Sequence, residues 1–178
     1  MTAESNSLII SGNEVPVENN NEDCTQIARN LIKNKLKYSL NENTQCTAFR
    51  VGKPPSTQKP DRRNILVKME NEDLVQDIVR TSKKVKPTNM YFSENLIPKR
   101  LAILQILRRL KRTHTANISG CSSVRGRIYA WIPPPRPDAP GARVSRILVN
   151  TRTQLEDFCS KVLGISIDDV LQGNEQIN

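Results

Sequence analysis

The residues of this sequence that are best suited to chemistry with a partner are its arginines and lysines. Between positions 97 and 152 the chain carries twelve Lys or Arg residues against one acidic residue, and ten of the twelve are arginine. A guanidinium group presents a rigid fork of N–H donors that matches phosphate oxygens, and its flat face stacks on aromatic rings. This segment therefore predicts a polyanionic partner, nucleic acid ahead of an anionic membrane surface. A solvated basic surface is the alternative.

A second group of cations surrounds a proline-rich loop over residues 52–63. Together with those in the flanking apolar runs, these cations are Arg50, Lys53, Lys59, Arg62, Arg63 and Lys68. Three prolines inside the loop restrict the free chain, so that less entropy is lost when the loop meets a ligand. We predict that the loop forms one side of an electrostatic cleft for a single strand. A disordered linker is the alternative.

The other side of the predicted cleft is a basic helix that begins near Pro98. An apolar stripe at helical spacing runs along it, formed by Leu101, Leu104, Leu107 and Leu110 and widened by Ile103 and Ile106. The helix dipole favours cations near the C-terminal end, but four cations within residues 108–112 are more than the dipole requires. The cations assigned to nucleic-acid binding in this half of the chain are Arg100, Arg108, Arg109, Lys111, Arg112, Arg125 and Arg127. Arg100 is expected where the two predicted domains meet.

Aromatic residues make up only 4% of the chain, so few side chains could stack on bases. Tyr91 and Trp131 are the best candidates, and Tyr91 is assigned to the binding site. For Trp131 a place in the core of the second domain is the favoured interpretation.

Hydrophobic periodicity predicts the elements that must position these residues. Strands are predicted at 7–11, 47–51, 64–69 and 90–92, and helices after Asp23 and after Asn71. The resulting β-α-β-β-α-β order is that of the split βαβ arrangement, RRM-like or ferredoxin-like. Such a domain has a four-stranded antiparallel sheet with two helices on one face, and its other face is open to a ligand.

The second half of the chain predicts a smaller α+β domain. After the helix at Pro98, strands are predicted around Ile118 and over 127–132 and 144–149, followed by a helix capped by Thr151. A further helical turn is expected over 166–171. The predicted fold class is thus α+β, and its predicted parts are an RRM-like domain over 1–93, a C-terminal α+β domain over 94–172 and a frayed tail over 173–178.

Nothing in the sequence indicates catalysis or a bound cofactor. The chain has one histidine, no nucleophile motif and no phosphate-binding glycine-rich loop. Its cysteines form no CxxC pair, which favours free thiols in a reducing compartment over a zinc site; they are Cys24, Cys46, Cys121 and Cys159. We therefore expect a non-enzymatic protein without cofactor, metal or small-molecule substrate.

Targeting and docking signals are weak. Residues 1–10 lack the basic and apolar regions of a secretory signal, and no apolar run approaches the roughly 20 residues that span a bilayer. A soluble intracellular protein without a membrane partner is expected, cytoplasmic or also nuclear. Residues 133–137 contain a PxxP spacing that could dock an SH3-like groove, but a connection between strands is the simpler interpretation.

Several short blocks of the sequence, in order, carry a family resemblance. They are FRVGKP (49–54), RNILVK (63–68), YFSENL (91–96) with Arg100 and the leucine-rich helix, RIYAW (127–131), and TxxxLEDF (151–158). The first two resemble the middle domain of first-open-reading-frame proteins of LINE-type retrotransposons, and the later ones resemble the C-terminal domain of that family. The baculovirus few-polyhedra protein and its relatives share the C-terminal pattern. The resemblance spans about residues 5–163.

The resemblance implies an RNA-recognition-like domain and a C-terminal domain that together bind single-stranded RNA or DNA. It also implies nucleic-acid chaperone activity in a retroelement ribonucleoprotein. The trimerising coiled coil of vertebrate members has no counterpart here, so a homo-oligomer stays open. The two central strands, 8–10 and 65–67, are aliphatic where RNA-recognition domains usually carry stacking aromatics. We therefore expect binding through phosphates with little sequence preference.

Two other functions compete with nucleic-acid binding. A viral or host protein-interaction module of few-polyhedra type would bind nucleic acid only weakly. A minimal nuclease is disfavoured because the sequence lacks metal ligands.

Overall fold

The computed structural model of the chain describes residues 6–19, 21–52, 62–137, 139 and 141–172. These residues form an α+β structure with antiparallel sheets, and the chain divides into two units, residues 1–95 and 96–178. Each unit has its own hydrophobic core.

The N-terminal unit contains four strands and two helices among its described residues. In chain order these are β1 (Ser7–Gly12), α1 (Cys24–Leu36), β2 (Cys46–Val51), β3 (Asn64–Met69), α2 (Glu72–Val85) and β4 (Met90–Glu94). The strands form one antiparallel sheet in the order β2-β3-β1-β4. The two aliphatic strands β1 and β3 are therefore central, as the sequence predicts, and β2 and β4 lie at the edges.

The helix starts are set by side-chain caps. Asp23 Oδ1 accepts hydrogen bonds from the backbone N–H groups of Thr25 and Gln26, at 2.9 and 3.0 Å. Asn71 Oδ1 accepts one from the N–H of Leu74 at 3.0 Å. Each cap satisfies donors that the first helical turn leaves unpaired, which stabilises a helix start by about 1 kcal/mol. Both predicted starts are confirmed.

One face of the sheet packs against both helices. Strand residues at alternate positions, such as Leu8, Ile10 and Val67, are fully buried there against helix residues such as Ile32 and Ile78. Because successive side chains of a strand point to opposite faces, the remaining positions form a second face on the other side of the sheet. That face carries the exposed aromatic side chains of the unit.

The C-terminal unit begins with the basic helix. Its elements are α3 (Pro98–Thr113), β5 (Gly120–Val124), β6 (Arg127–Ile132), β7 (Ser145–Leu148), α4 (Arg152–Phe158), a π-helical turn (Cys159–Leu163) and α5 (Ile167–Gln172). The three strands form an antiparallel sheet in the order β5-β6-β7. The predicted Thr151 cap is confirmed, since its hydroxyl oxygen accepts from the N–H of Gln154 at 3.2 Å.

Two details of this unit differ from the prediction. Ile118 is not in a strand; it is fully buried, and its N–H bonds the carbonyl of His114 at 3.0 Å, so it closes the turn after α3. Leu101 belongs to the predicted apolar stripe but is 40% exposed. Ile103, which was predicted to widen the stripe, is buried as expected. Because the helix turns about 100° per residue, the buried stripe is centred on Ile103, Leu104 and Leu107, and Leu101 lies at its margin.

Among the described residues, no helix combines the length and the apolar composition that crossing a membrane requires.

Candidate nucleic-acid interface

The cations near the end of α3 project away from the hydrophobic core. Leu107 and Leu110 are buried, while the four cations between and after them, Arg108, Arg109, Lys111 and Arg112, are exposed. The 3.6-residue period of the helix explains this separation, because the two leucines occupy one face and the cations occupy the rest. The last two turns of α3 therefore present a dense positive surface.

The positive charges of two of these cations act on a half-buried thiol. Burial raises the pKa of the Cys121 thiol, and the positive charges of Arg108 and Lys111 act in the opposite direction. Cys121 lies on β5, which packs against α3.

A hairpin turn brings three other predicted cations together at the opposite end of the helix. Arg125 and Gly126 connect β5 to β6 with positive φ angles of 52° and 67°. Two-residue hairpins favour such angles because they match the twist of the strands, but the usual residues are Asn, Asp and Gly rather than Arg. Arg100 Nη1 donates to the carbonyl of Gly126 at 2.8 Å. Arg100, Arg125 and Arg127 therefore cluster around the hairpin.

The outer face of the β5-β6-β7 sheet carries aromatic residues that the sequence analysis placed elsewhere or missed. Trp131 is 39% exposed, so the interpretation of Trp131 as a core residue is wrong. The physical reason is the alternation along β6: Ile128 and Ala130 are fully buried, which turns Tyr129 and Trp131 to the outer face. This alternation is visible in the string RIYAWI and could have identified both residues.

The open face of the N-terminal sheet also carries two aromatic residues, both on edge strands. Tyr91 on β4 is 66% exposed and Phe49 on β2 is 42% exposed. In register, Phe49 pairs with Leu66 and Leu66 pairs with Ile9, so the centre of this face is aliphatic. Phe49 was missed although it alternates with the helix-facing positions of its strand. Lys68 lies on the same face.

Arg50, which the sequence assigns to nucleic-acid binding, makes its hydrogen bonds inside the N-terminal unit. Its Nε and Nη2 donate to the two carboxylate oxygens of Glu22 at 2.7 and 2.9 Å, and its Nη1 donates to the carbonyl of Arg63 at 2.9 Å. Only 2% of the Arg50 side chain is exposed. The structure therefore leaves this guanidinium no face on which to meet a phosphate.

Arg63 makes a second ion pair of the same design. Its Nε donates to Glu18 at 2.7 Å and its Nη2 bonds the other carboxylate oxygen. Because Glu18 and Glu22 both belong to the segment between β1 and α1, the two arginines fasten that segment to the ends of β2 and β3. The hydrogen bonds from Arg63 lower the pKa of Glu18.

The Arg50 pair predicts a pH dependence of folding. Hydrogen bonds from Arg50 lower the pKa of Glu22 from 4.5 to about 2. A carboxylate whose pKa is lowered in the folded state stabilises the fold above its unfolded-state pKa, and this stabilisation is lost as the pH falls toward the folded-state value. We expect the stability of the unit to decrease as the pH falls from about 5 to about 2. The measurement is urea unfolding at a series of pH values, followed by circular dichroism, with the urea midpoint as the result.

Glu22→Gln should lower the midpoint at neutral pH and flatten this decrease. Glu42→Gln, which removes an exposed carboxylate of the same unit, is the control and should keep the full pH dependence. An unchanged pH profile in Glu22→Gln would show that the pair does not control acid stability.

Other predicted site residues are placed as follows. Arg62 is exposed next to Arg63. Lys53 and Lys59, with most of the proline-rich loop, lie outside the described residues. Pro133 to Pro135 are half-buried and line a shallow pocket with Asn117 and Val162. They belong to the connection between β6 and β7, which is the interpretation that the sequence favours over docking of a partner. Within the described ranges, no group of three His, Cys, Asp or Glu side chains could hold a metal ion.

Comparison with known proteins adds no family assignment. No protein-family model matches the chain, and no curated protein matches it significantly.

Proposed function

We propose that this protein is a non-enzymatic binder of single-stranded nucleic acid, chiefly RNA, with little sequence preference and with chaperone-like activity. The observation that carries the proposal is the exposed cationic surface of the C-terminal unit, at the end of α3 and around the hairpin at Arg125. Positive charge at this density favours a flexible polyanion, because each neutralised phosphate releases condensed counterions. The resemblance to LINE-type proteins supports the same ligand class.

We also propose that the N-terminal unit belongs to the RRM-like class. The support is its β-α-β-β-α-β order, its antiparallel strand order β2-β3-β1-β4 and the position of both helices on one face of the sheet. In this proposal the open face, with Phe49, Tyr91 and Lys68, contacts the ligand. Aromatic residues at its edges and aliphatic residues at its centre suit weak stacking without base reading.

The ion pairs change which cations are proposed to bind phosphate. Arg50 and Arg63 hold the loop ends through Glu22 and Glu18, so we assign them a structural role. The proposed phosphate contacts are Lys53, Lys59, Arg62, Lys68, Arg100, Arg108, Arg109, Lys111, Arg112, Arg125 and Arg127.

A salt series tests the proposed function. If about six phosphates are neutralised, the slope of log K against log salt should be near −4 for a single strand. The measurement is fluorescence anisotropy of a labelled oligonucleotide of about 20 nucleotides, with a duplex of the same sequence for comparison. Accelerated annealing of complementary strands would support the chaperone activity. Weak binding that does not respond to salt would contradict the proposal and favour a protein-interaction module.

A further inference from the structure

We infer that the outer face of the β5-β6-β7 sheet is a stacking site for unpaired nucleobases, formed by Tyr129, Trp131 and Arg146. This inference rests on the proposed function and adds to it the part of the ligand that this face contacts, which is the base rather than the phosphate.

The strand β6 sets the spacing of the site. Its outward residues are Arg127, Tyr129 and Trp131, and the buried residues between them are Ile128 and Ala130. Side chains two positions apart on one face of a strand are separated by about 6.7 Å. A strand thus presents two aromatic rings in sequence, an arrangement on which successive bases of a single strand can stack.

The indole of Trp131 lies over a glycine. Gly120 on β5 is its direct partner in the sheet, and a β-carbon at Gly120 would lie only 3.2 Å from Cε3 of the indole. The missing side chain lets the ring rest on the strand, while 39% of the residue stays exposed. The indole is therefore supported on one side and accessible to a ligand on the other.

Arg146 extends the stacking surface. The register places it opposite Trp131, yet its guanidinium carbon lies 4.4 Å from the centre of the Tyr129 ring. A cation at this distance from a ring is held by attraction to the π electrons, and a guanidinium held in this way can itself stack on a base or bond a phosphate. The side chain is exposed at its position on β7.

The charge of this face favours nucleic acid over a protein partner. The three strands contain no Asp or Glu, and the cations Arg127 and Arg146 flank the rings. The exposed Leu148 would suit either partner. Stacking on aromatic side chains tolerates every base, which agrees with the low sequence preference of the proposed function.

Trp131 is the single tryptophan of the chain, so its fluorescence reports on this face alone. The experiment titrates the full chain with an oligodeoxythymidylate of about 15 nucleotides and with an abasic oligonucleotide of the same length, which keeps the phosphates and lacks the bases. We expect the thymidylate to quench the tryptophan emission and the abasic strand to bind without quenching it.

Variants separate stacking from folding. Trp131→Leu and Tyr129→Leu are each expected to weaken thymidylate binding about 10-fold or more, since one stacked base contributes about 1–3 kcal/mol, and to leave abasic binding unchanged. Trp131→Phe keeps an aromatic ring and should stay within about 3-fold of the parent. Leu101→Ala removes an exposed apolar side chain elsewhere in the unit and is the matched control.

Two results would overturn the inference. In the first, the parent binds thymidylate without quenching; in the second, Trp131→Leu weakens binding to both ligands equally. Either result leaves the proposed function intact, because phosphate binding would persist. A parent that binds neither oligonucleotide would instead contradict the proposed function, and the inference would fall with it.

Discussion

Replacing Arg50 with alanine is expected to destabilise the N-terminal unit by about 3–5 kcal/mol, because it leaves the Glu22 carboxylate, whose side chain is only 9% exposed, without its partner. The substitution also removes the donor to the carbonyl of Arg63. A loss of this size is a large part of the stability of a small domain. The measurement is urea unfolding near neutral pH, followed by circular dichroism.

The double variant Arg50→Met/Glu22→Leu distinguishes a lost pair from an orphaned charge. Removing both partners should cost less than removing Arg50 alone, since no unpaired charge remains. Arg63→Ala, at the more exposed pair with Glu18, is the comparison and should have the smaller effect. If Arg50→Ala keeps the parent stability but loses nucleic-acid binding, the sequence-based assignment of Arg50 to the interface is correct and the structural role is wrong.

The triple substitution Arg108→Ala/Lys111→Ala/Arg112→Ala is expected to weaken single-strand binding by about 10- to 100-fold at moderate salt. The three exposed cations are proposed to contact about three phosphates, so the salt slope should also become shallower by about 2. Anisotropy titrations across a salt series measure both quantities. The salt slope is the more specific result, because it depends on the number of counterions released on binding, whereas the affinity depends on every contact.

A charge-matched control uses three exposed lysines of the other unit. Lys33→Ala/Lys83→Ala/Lys84→Ala removes the same charge from α1 and α2, which pack on the helix side of the N-terminal sheet. It should leave the salt slope within experimental error of the parent. Equal effects of the two triple variants would mean that binding depends on net charge and not on the surface of α3. Thermal unfolding of both variants checks that the helices remain folded.

Local patterns were enough to predict most elements of this chain. Asp23 and Asn71 cap helices because an extended residue with a short polar side chain precedes an apolar repeat, and both features are visible in the sequence. The strand Asn64–Met69 was predicted with its observed bounds. Ile118 was assigned to a strand because one apolar residue among polar neighbours does not show whether it continues a strand or closes a turn.

The candidate site could be predicted only in part, since the role of several of its side chains depends on contacts with residues distant in sequence. In sequence, Arg50 looks like any strand cation beside a basic loop, and only the structure shows that its partner is Glu22, 28 residues earlier. The stacking of Arg146 on Tyr129 depends on the register between β6 and β7. That register cannot be deduced from the sequence, because a 12-residue connection separates the two strands. Trp131 differs from these: the alternation along its own strand indicated an outward ring, and an expectation that large aromatics are buried outweighed that signal.

The hairpin at Arg125 has a consequence for protein engineering. Routine turn optimisation would place glycine or asparagine at this left-handed position, where an ordinary side chain is strained by about 1–2 kcal/mol. The redesigned hairpin would be less strained and the protein more heat-resistant, yet the protein would have lost a guanidinium that we propose contacts phosphate. If the proposed function is correct, selecting variants of this protein for thermal tolerance alone would therefore weaken its grip on nucleic acid at this turn.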